Sequence, residues 1–176
     1  MKHIPNILST IRILILPIFV LSMIKDQYMF AGSIIVFSGI TDLLDGFLAR
    51  SFNWQSRLGE LLDPLADKLT QTTIALTFIV VLKEFRIFFW IILGKDVLML
   101  IGSYVSYRKN IEIPAAKWFG KVATALFYVT IALIILFPNI DITIKKTLLS
   151  LVVLSSIFSA VMYFSLFFTN VSVKAN

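Results

Sequence analysis

The sequence predicts an all-α integral membrane protein, a bundle of about six transmembrane helices. Two observations carry that prediction. Apolar residues make up 59% of the chain and charged residues only 15%, whereas a soluble domain is near half apolar with about a quarter of its residues charged. The apolar residues also fall into runs close to the roughly 20 residues that a helix needs to cross hydrocarbon. Within lipid only helices and closed barrels satisfy their own backbone. Barrel strands would alternate at every second residue, and these runs do not.

Six segments approximate one span each: 8–24, 28–49, 60–82, 87–107, 118–137 and 146–168. The first opens after Met1-Lys2-His3-Ile4-Pro5-Asn6. A cleaved signal peptide fits less well there, because Arg12 and Pro17 interrupt the run and no small-residue cleavage site follows. The segment is expected to be retained. The lack of an Arg- and Ser-rich leader suits a bacterial chain or a processed organellar one. The second segment follows the polar link Lys25–Gln27 and ends in carboxylates and Arg50. The third begins with carboxylates and ends before Lys83–Arg86. Lys95 and Asp96 interrupt the fourth, Arg108–Lys117 precedes the fifth, and Asn139–Lys145 precedes the sixth. With no internal repeat or low-complexity stretch, residues 1–176 are expected to form one domain.

The net charge is +6. Its basic residues fall between apolar runs, so anionic lipid headgroups are the expected partners and nucleic acid is not. The chain has no cysteine, which excludes disulfides, thiolate nucleophiles and cysteine metal sites. Lys and Arg favour the side carrying the N-terminus, loop 50–57, loop 108–117 and the C-terminus, nine against five. The positive-inside rule then places both termini, and the motif described next, in the cytoplasm of a multi-pass cell-membrane protein.

The informative stretch runs from Thr41-Asp42-Leu43-Leu44-Asp45-Gly46 through Ala49-Arg50 to Gly59 and Asp63-Pro64-Leu65-Ala66-Asp67-Lys68. Asp42 and Asp45 are three apart and Asp63 and Asp67 four apart, so each pair shares a helix face. A short loop joins the two segments, which lets all four carboxylates meet at one depth. A solvated cap explains any one of these aspartates; it does not explain four at these spacings on one side of the membrane. Four close carboxylates repel in a low-dielectric setting, and a charge at membrane depth costs several kcal/mol. Divalent cations resolve both problems. An all-oxygen donor set suits Mg²⁺, Mn²⁺ or Ca²⁺ rather than zinc, and two ions on four carboxylates suit in-line displacement at phosphorus. Gly46 and Ala49 leave room for a ligand beside the backbone, although both also suit helix packing. Arg50 adds fixed positive charge. Pro64 fits a helix's first turn or a kink.

The complete pattern, Asp-x2-Asp-Gly-x2-Ala-Arg-x8-Gly-x3-Asp-x3-Asp over Asp42 to Asp67, resembles the signature of the CDP-alcohol phosphatidyltransferase family. The opening Ile-Pro-Asn-x-Leu-Ser-x-x-Arg at Ile4 to Arg12 and the six-helix plan extend the resemblance over nearly the whole chain. The resemblance implies a phospholipid-synthesising transferase that moves a phosphatidyl group from CDP-diacylglycerol to an alcohol and releases CMP. It implies two divalent ions, Mg²⁺ or Mn²⁺, on Asp42, Asp45, Asp63 and Asp67. It further implies Asp67 as general base, a homodimer, and Asn6, Thr10, Gly46, Ala49, Arg50 and Gly59 around the CDP-lipid.

Lys95, Asp96, Lys117 and Lys121 address the acceptor, because charges within spans are functional by default; snorkelling to the interface is the plainer account of the lysines. Phosphatidylglycerophosphate synthases resemble the chain here but carry Arg-Glu in place of Lys95-Asp96. They also have cations at the positions of Ser103 and Ala123. The stretches Asp96–Ile101, Tyr107-Arg108 and Phe119–Ala125 look more like cardiolipin synthases of the eukaryotic type. Phosphatidylglycerol is therefore the expected acceptor, with glycerol 3-phosphate as the alternative and inositol acceptors behind it. A divalent-cation transporter is a distinct third reading. Transporters show duplicated or broken halves, whereas these carboxylates occupy one half only.

Overall fold

The computed structural model describes residues 4–52, 57–108 and 118–175. Side chains are described for these except at 4–5, 43, 45–50, 57–61, 63–64, 103, 106–107 and 166–175. The described residues form six α-helices: α1 (Ile4–Ile24), α2 (Tyr28–Ser51), α3 (Arg57–Val81), α4 (Arg86–Arg108), α5 (Trp118–Leu136) and α6 (Ile142–Ala175). A single 3-10 turn, Lys83–Phe85, leads into α4. Among the described residues three helical stretches are long and apolar enough to cross a membrane: Asn6–Ile24, Trp118–Leu136 and Ile142–Ser165. The apolar part of α2, Tyr28–Asp42, is shorter, because the carboxylates begin there. Acidic residues at the start of α3 and the Lys95-Asp96 step in α4 break those runs in the same way. The sixth helix begins at Ile142, four residues ahead of the expected span, and continues to Ala175. Asp141 caps it, accepting the Thr143 N–H at 2.7 Å on its carboxylate. These hydrogen bonds hold the Asp141 carboxyl below its ordinary pKa.

The chain divides into two compact units, 1–83 with 132–139, and 84–131 with 140–176. In the first, α1 packs against both α2 and α3. Its buried stripe is Ser9, Arg12, Leu16, Phe19 and Met23, a three- and four-residue spacing that keeps one helix face inward. Ala31, Ile34, Ile35, Ser38 and Thr41 are buried on α2, and Ala66, Thr70, Ile74 and Phe78 on α3. Small and hydroxyl-bearing residues are frequent on these faces, as expected where helices approach without a hydrophobic drive between them. Several hydroxyls bond back to their own helix: Thr70 Oγ1 to Ala66 O at 2.8 Å, Thr77 Oγ1 to Thr73 O at 2.7 Å, and Thr41 Oγ1 to Ser38 O at 2.9 Å. Gly32 on α2 lies against the end of α5. A Cβ there would stand 2.5 Å from Leu136 Cδ2.

The turn between α1 and α2 is closed by Gln27 N–H on Ser22 O at 2.9 Å and Asp26 N–H on Met23 O at 3.3 Å. This is a Schellman closure with Asp26, at φ 57°, where glycine is usual. Aspartate tolerates that conformation better than most residues. The closure lets α2 begin at Tyr28 and return along α1.

In the second unit α4 packs against α6. Phe85, Phe89, Ile92 and Asp96 face inward, as do Leu149, Val152, Ser156 and Ser159 on α6. Phe119 meets Tyr163 edge to face at 4.9 Å. Gly120 lies beneath Tyr163, whose hydroxyl would be 3.0 Å from a Cβ there.

Candidate active site

The carboxylate motif is carried by the end of α2 and the start of α3. Asp42 and Asp45 occupy α2, with Gly46, Ala49 and Arg50 after them, and Gly59, Asp63 and Asp67 lie on α3. Among these the side chains of Asp42 and Asp67 are described, and the structure brings them to a common partner. Arg12 Nη1 donates to Asp42 Oδ1 at 2.5 Å and to Asp67 Oδ1 at 2.5 Å. One cation on α1 thus bridges carboxylates 30 and 55 residues away. The side chains of Asp45, Gly46, Ala49, Arg50, Gly59 and Asp63 lie outside the described residues, as does all of Lys117.

Exposure separates the roles within this cluster. The Arg12 side chain is 1% exposed, whereas Asp42 and Asp67 are each 40% exposed. The cation is therefore interior, and the carboxylates open outward from it. Oxygen donors from two helices at one open edge are the donor chemistry that a hard divalent ion takes, so the residues present fit such an ion. Among the described residues no three potential ligands cluster; Asp45 and Asp63 belong to the remainder. Ser38, one turn before Asp42, is 2% exposed, and its hydroxyl makes no hydrogen bond among the described residues.

Arg12 is absent from the site residues that the sequence suggests. The signal that could have found it is a single charge within the apolar run Asn6–Ile24, since such a charge needs a counter-ion. Asn6 and Thr10 lie elsewhere on α1. Thr10 is exposed and donates to Asn6 O at 2.8 Å. Both line an open groove of about 360 Å³ with Ile7, Ile11 and Leu14. Thr10 stands two residues from Arg12, about 200° around the helix, so the groove and the carboxylates occupy different sides of α1.

The proposed acceptor residues belong to the second unit. Lys95 Nζ pairs with Asp96 Oδ1 at 2.7 Å, and their side chains are 18% and 8% exposed. The pair offsets its own charge inside α4. Lys121 is exposed in the first turn of α5, and Ala123 is buried.

The family description "CDP-alcohol phosphatidyltransferase" matches residues 2–171. The chain is 31% identical over 124 residues to the CDP-diacylglycerol–glycerol-3-phosphate 3-phosphatidyltransferase of Aquifex aeolicus (strain VF5), covering 69% of each. It is 36% identical over 117 residues to a cardiolipin synthase (CMP-forming)/mitochondrial hydrolase fusion protein of Schizosaccharomyces pombe, covering 66% of this chain and 19% of that one. Against the cardiolipin synthase (CMP-forming) of Streptomyces coelicolor, identity is 33% over 129 residues, covering 69% and 59%. The chain thus spans between 19% and 69% of these relatives' lengths. With a match over nearly its full length and the complete carboxylate motif on two helices joined through α1, the chain belongs to the CDP-alcohol phosphatidyltransferase family.

Proposed function

We propose that the protein transfers a phosphatidyl group from CDP-diacylglycerol to the hydroxyl of phosphatidylglycerol, forming cardiolipin and CMP. The observation that carries the reaction class is the convergence of Asp42 and Asp67 on Arg12 within the complete family motif. Asp67 takes the proton from the acceptor hydroxyl. The acceptor oxygen then attacks the phosphorus that bears diacylglycerol, a new P–O ester bond forms, and the phosphoanhydride bond breaks to release CMP. Asp42, Asp45, Asp63 and Asp67 would hold two Mg²⁺ or Mn²⁺ ions, which when bound neutralise the carboxylates and the charge developing on the diphosphate. Gly46, Ala49, Arg50 and Gly59, beside the carboxylates, would receive the CDP-lipid, whereas Asn6 and Thr10 line the groove on the other side of α1. The family match over residues 2–171 supports reading the chain as one domain; the nine-to-five bias of Lys and Arg supports six crossings with the site and both termini cytoplasmic, and the family resemblance supports two chains per assembly.

The pairing of Lys95 with Asp96 supports phosphatidylglycerol, because a neutralised pair leaves fewer cations for a doubly charged acceptor. The match to a glycerol-3-phosphate enzyme favours glycerol 3-phosphate as the second reading. Purified protein given CDP-diacylglycerol, Mn²⁺ and each alcohol in turn decides between them. Cardiolipin as the product supports the first reading. Rapid phosphatidylglycerophosphate formation without cardiolipin refutes it, and no CMP release with any alcohol refutes the reaction.

A further inference from the structure

Arg12 is the single charged residue within Asn6–Ile24, and it lies at 1% exposure on the face of α1 that packs against α2 and α3. An isolated cation in that position is strongly disfavoured. The structure satisfies it from two other helices at once, through Asp42 on α2 and Asp67 on α3. The same nitrogen takes one oxygen of each carboxylate, so the directions of the two carboxylates are set by a third element. Leu16, Phe19 and Met23 continue the Arg12 stripe and anchor it against the same helices. The guanidinium is planar and rigid, and its charge is permanent.

We propose that Arg12 is the positioning residue of the carboxylate centre: it orients Asp67 and Asp42 for turnover, and its positive charge weakens the hold on divalent ions. This rests on the metal-dependent transferase reading above. Arg12 touches the acidic groups and acts through them. Two consequences separate the proposal from a purely structural role. Removing the charge strengthens cation binding, because one repelling charge leaves the carboxylates. Removing the guanidinium slows turnover, because the two carboxylates lose the one nitrogen that is their common reference.

The test uses the full-length protein in detergent with phosphatidylglycerol or glycerol 3-phosphate as acceptor, whichever the wild type uses. Mn²⁺ binding is followed by electron paramagnetic resonance, and CMP release gives kcat and KM. Arg12→Gln is expected to bind Mn²⁺ about tenfold more tightly while turnover falls about a hundredfold, the scale of a small misplacement of reacting groups. Arg12→Lys keeps the charge and loses the rigid, planar guanidinium. It is expected to match wild-type Mn²⁺ affinity within about threefold and to lose roughly tenfold in turnover. Turnover near wild type in Arg12→Gln, or unchanged or weaker Mn²⁺ binding by it, overturns the proposal. If Arg12→Gln does not fold, Arg12→Lys decides: wild-type turnover overturns the orienting role, and a selective loss in kcat supports it. Wild-type protein that binds no Mn²⁺ overturns the metal reading together with this one. Mn²⁺-dependent wild type with indifferent variants overturns this one alone.

Discussion

Replacing Asp67 by asparagine keeps the side chain's shape, removes its charge and removes its capacity to accept a proton. Two magnitudes follow from the geometry. Charge-assisted hydrogen bonds are worth about 1.5–3 kcal/mol, and breaking a fully buried ion pair costs about 3–5 kcal/mol. Asp67 is 40% exposed and Arg12 retains Asp42, so solvent screening and the remaining partner lower the expected loss to about 1–2 kcal/mol. Catalysis responds on a different scale, because a positioned base contributes roughly 10²- to 10⁴-fold. Asp67→Asn is therefore expected to remain folded, with turnover reduced by at least about a hundredfold and the KM for CDP-diacylglycerol within about threefold of wild type. Denaturant unfolding in detergent micelles reads the first quantity, and CMP release across a range of CDP-lipid concentrations reads the second. Equal loss of CDP-lipid binding and turnover would refute the assignment of base and make Asp67 chiefly a metal ligand. A loss of several kcal/mol would show that Arg12 depends on Asp67 far more than on Asp42.

Activity is expected to disappear with chelator and return with Mg²⁺ or Mn²⁺, since all-oxygen sites release such ions readily; full activity in demetallated protein would refute the two-ion reading. Gly32→Ala forces Leu136 to move from a 2.5 Å approach, and the expected destabilisation is about 1–3 kcal/mol, read as a lowered unfolding midpoint. Ser38→Ala removes a buried hydroxyl that has no partner among the described residues, so stability is expected to hold or rise by up to about 1 kcal/mol; a selective loss of activity would show that the hydroxyl serves a ligand. Asp141 has a depressed carboxyl pKa. Its capping contribution is therefore present above its unfolded pKa, near 4, and lost as pH falls through the lower folded value. Hydrogen exchange at the Thr143 amide should accelerate on acidification beyond the intrinsic change, and unchanged protection would refute the cap's role.

The all-helical class was legible in composition and run length, because a chain this apolar must satisfy its backbone within each segment. A two-ion carboxylate centre was legible in the spacing of Asp42, Asp45, Asp63 and Asp67, and the reaction class through the resemblance of that pattern, with Gly46, Ala49, Arg50 and Gly59, to the family signature. Element ends were less so. The start of α6 at Ile142 depends on the Asp141 cap, whereas hydropathy places it at the first sustained apolar run. Only the tertiary structure decided that α1 packs on both motif helices and that Arg12 meets Asp42 and Asp67 from 30 and 55 residues away. It also decided that Lys95 has Asp96 as its counter-ion. The physical reason is range. Helical periodicity states which residues share a face, but which face meets which helix is settled by packing among elements distant in sequence. A lone arginine in an apolar run states only that a counter-charge must exist; the packing of α1 against α2 and α3 supplies its identity.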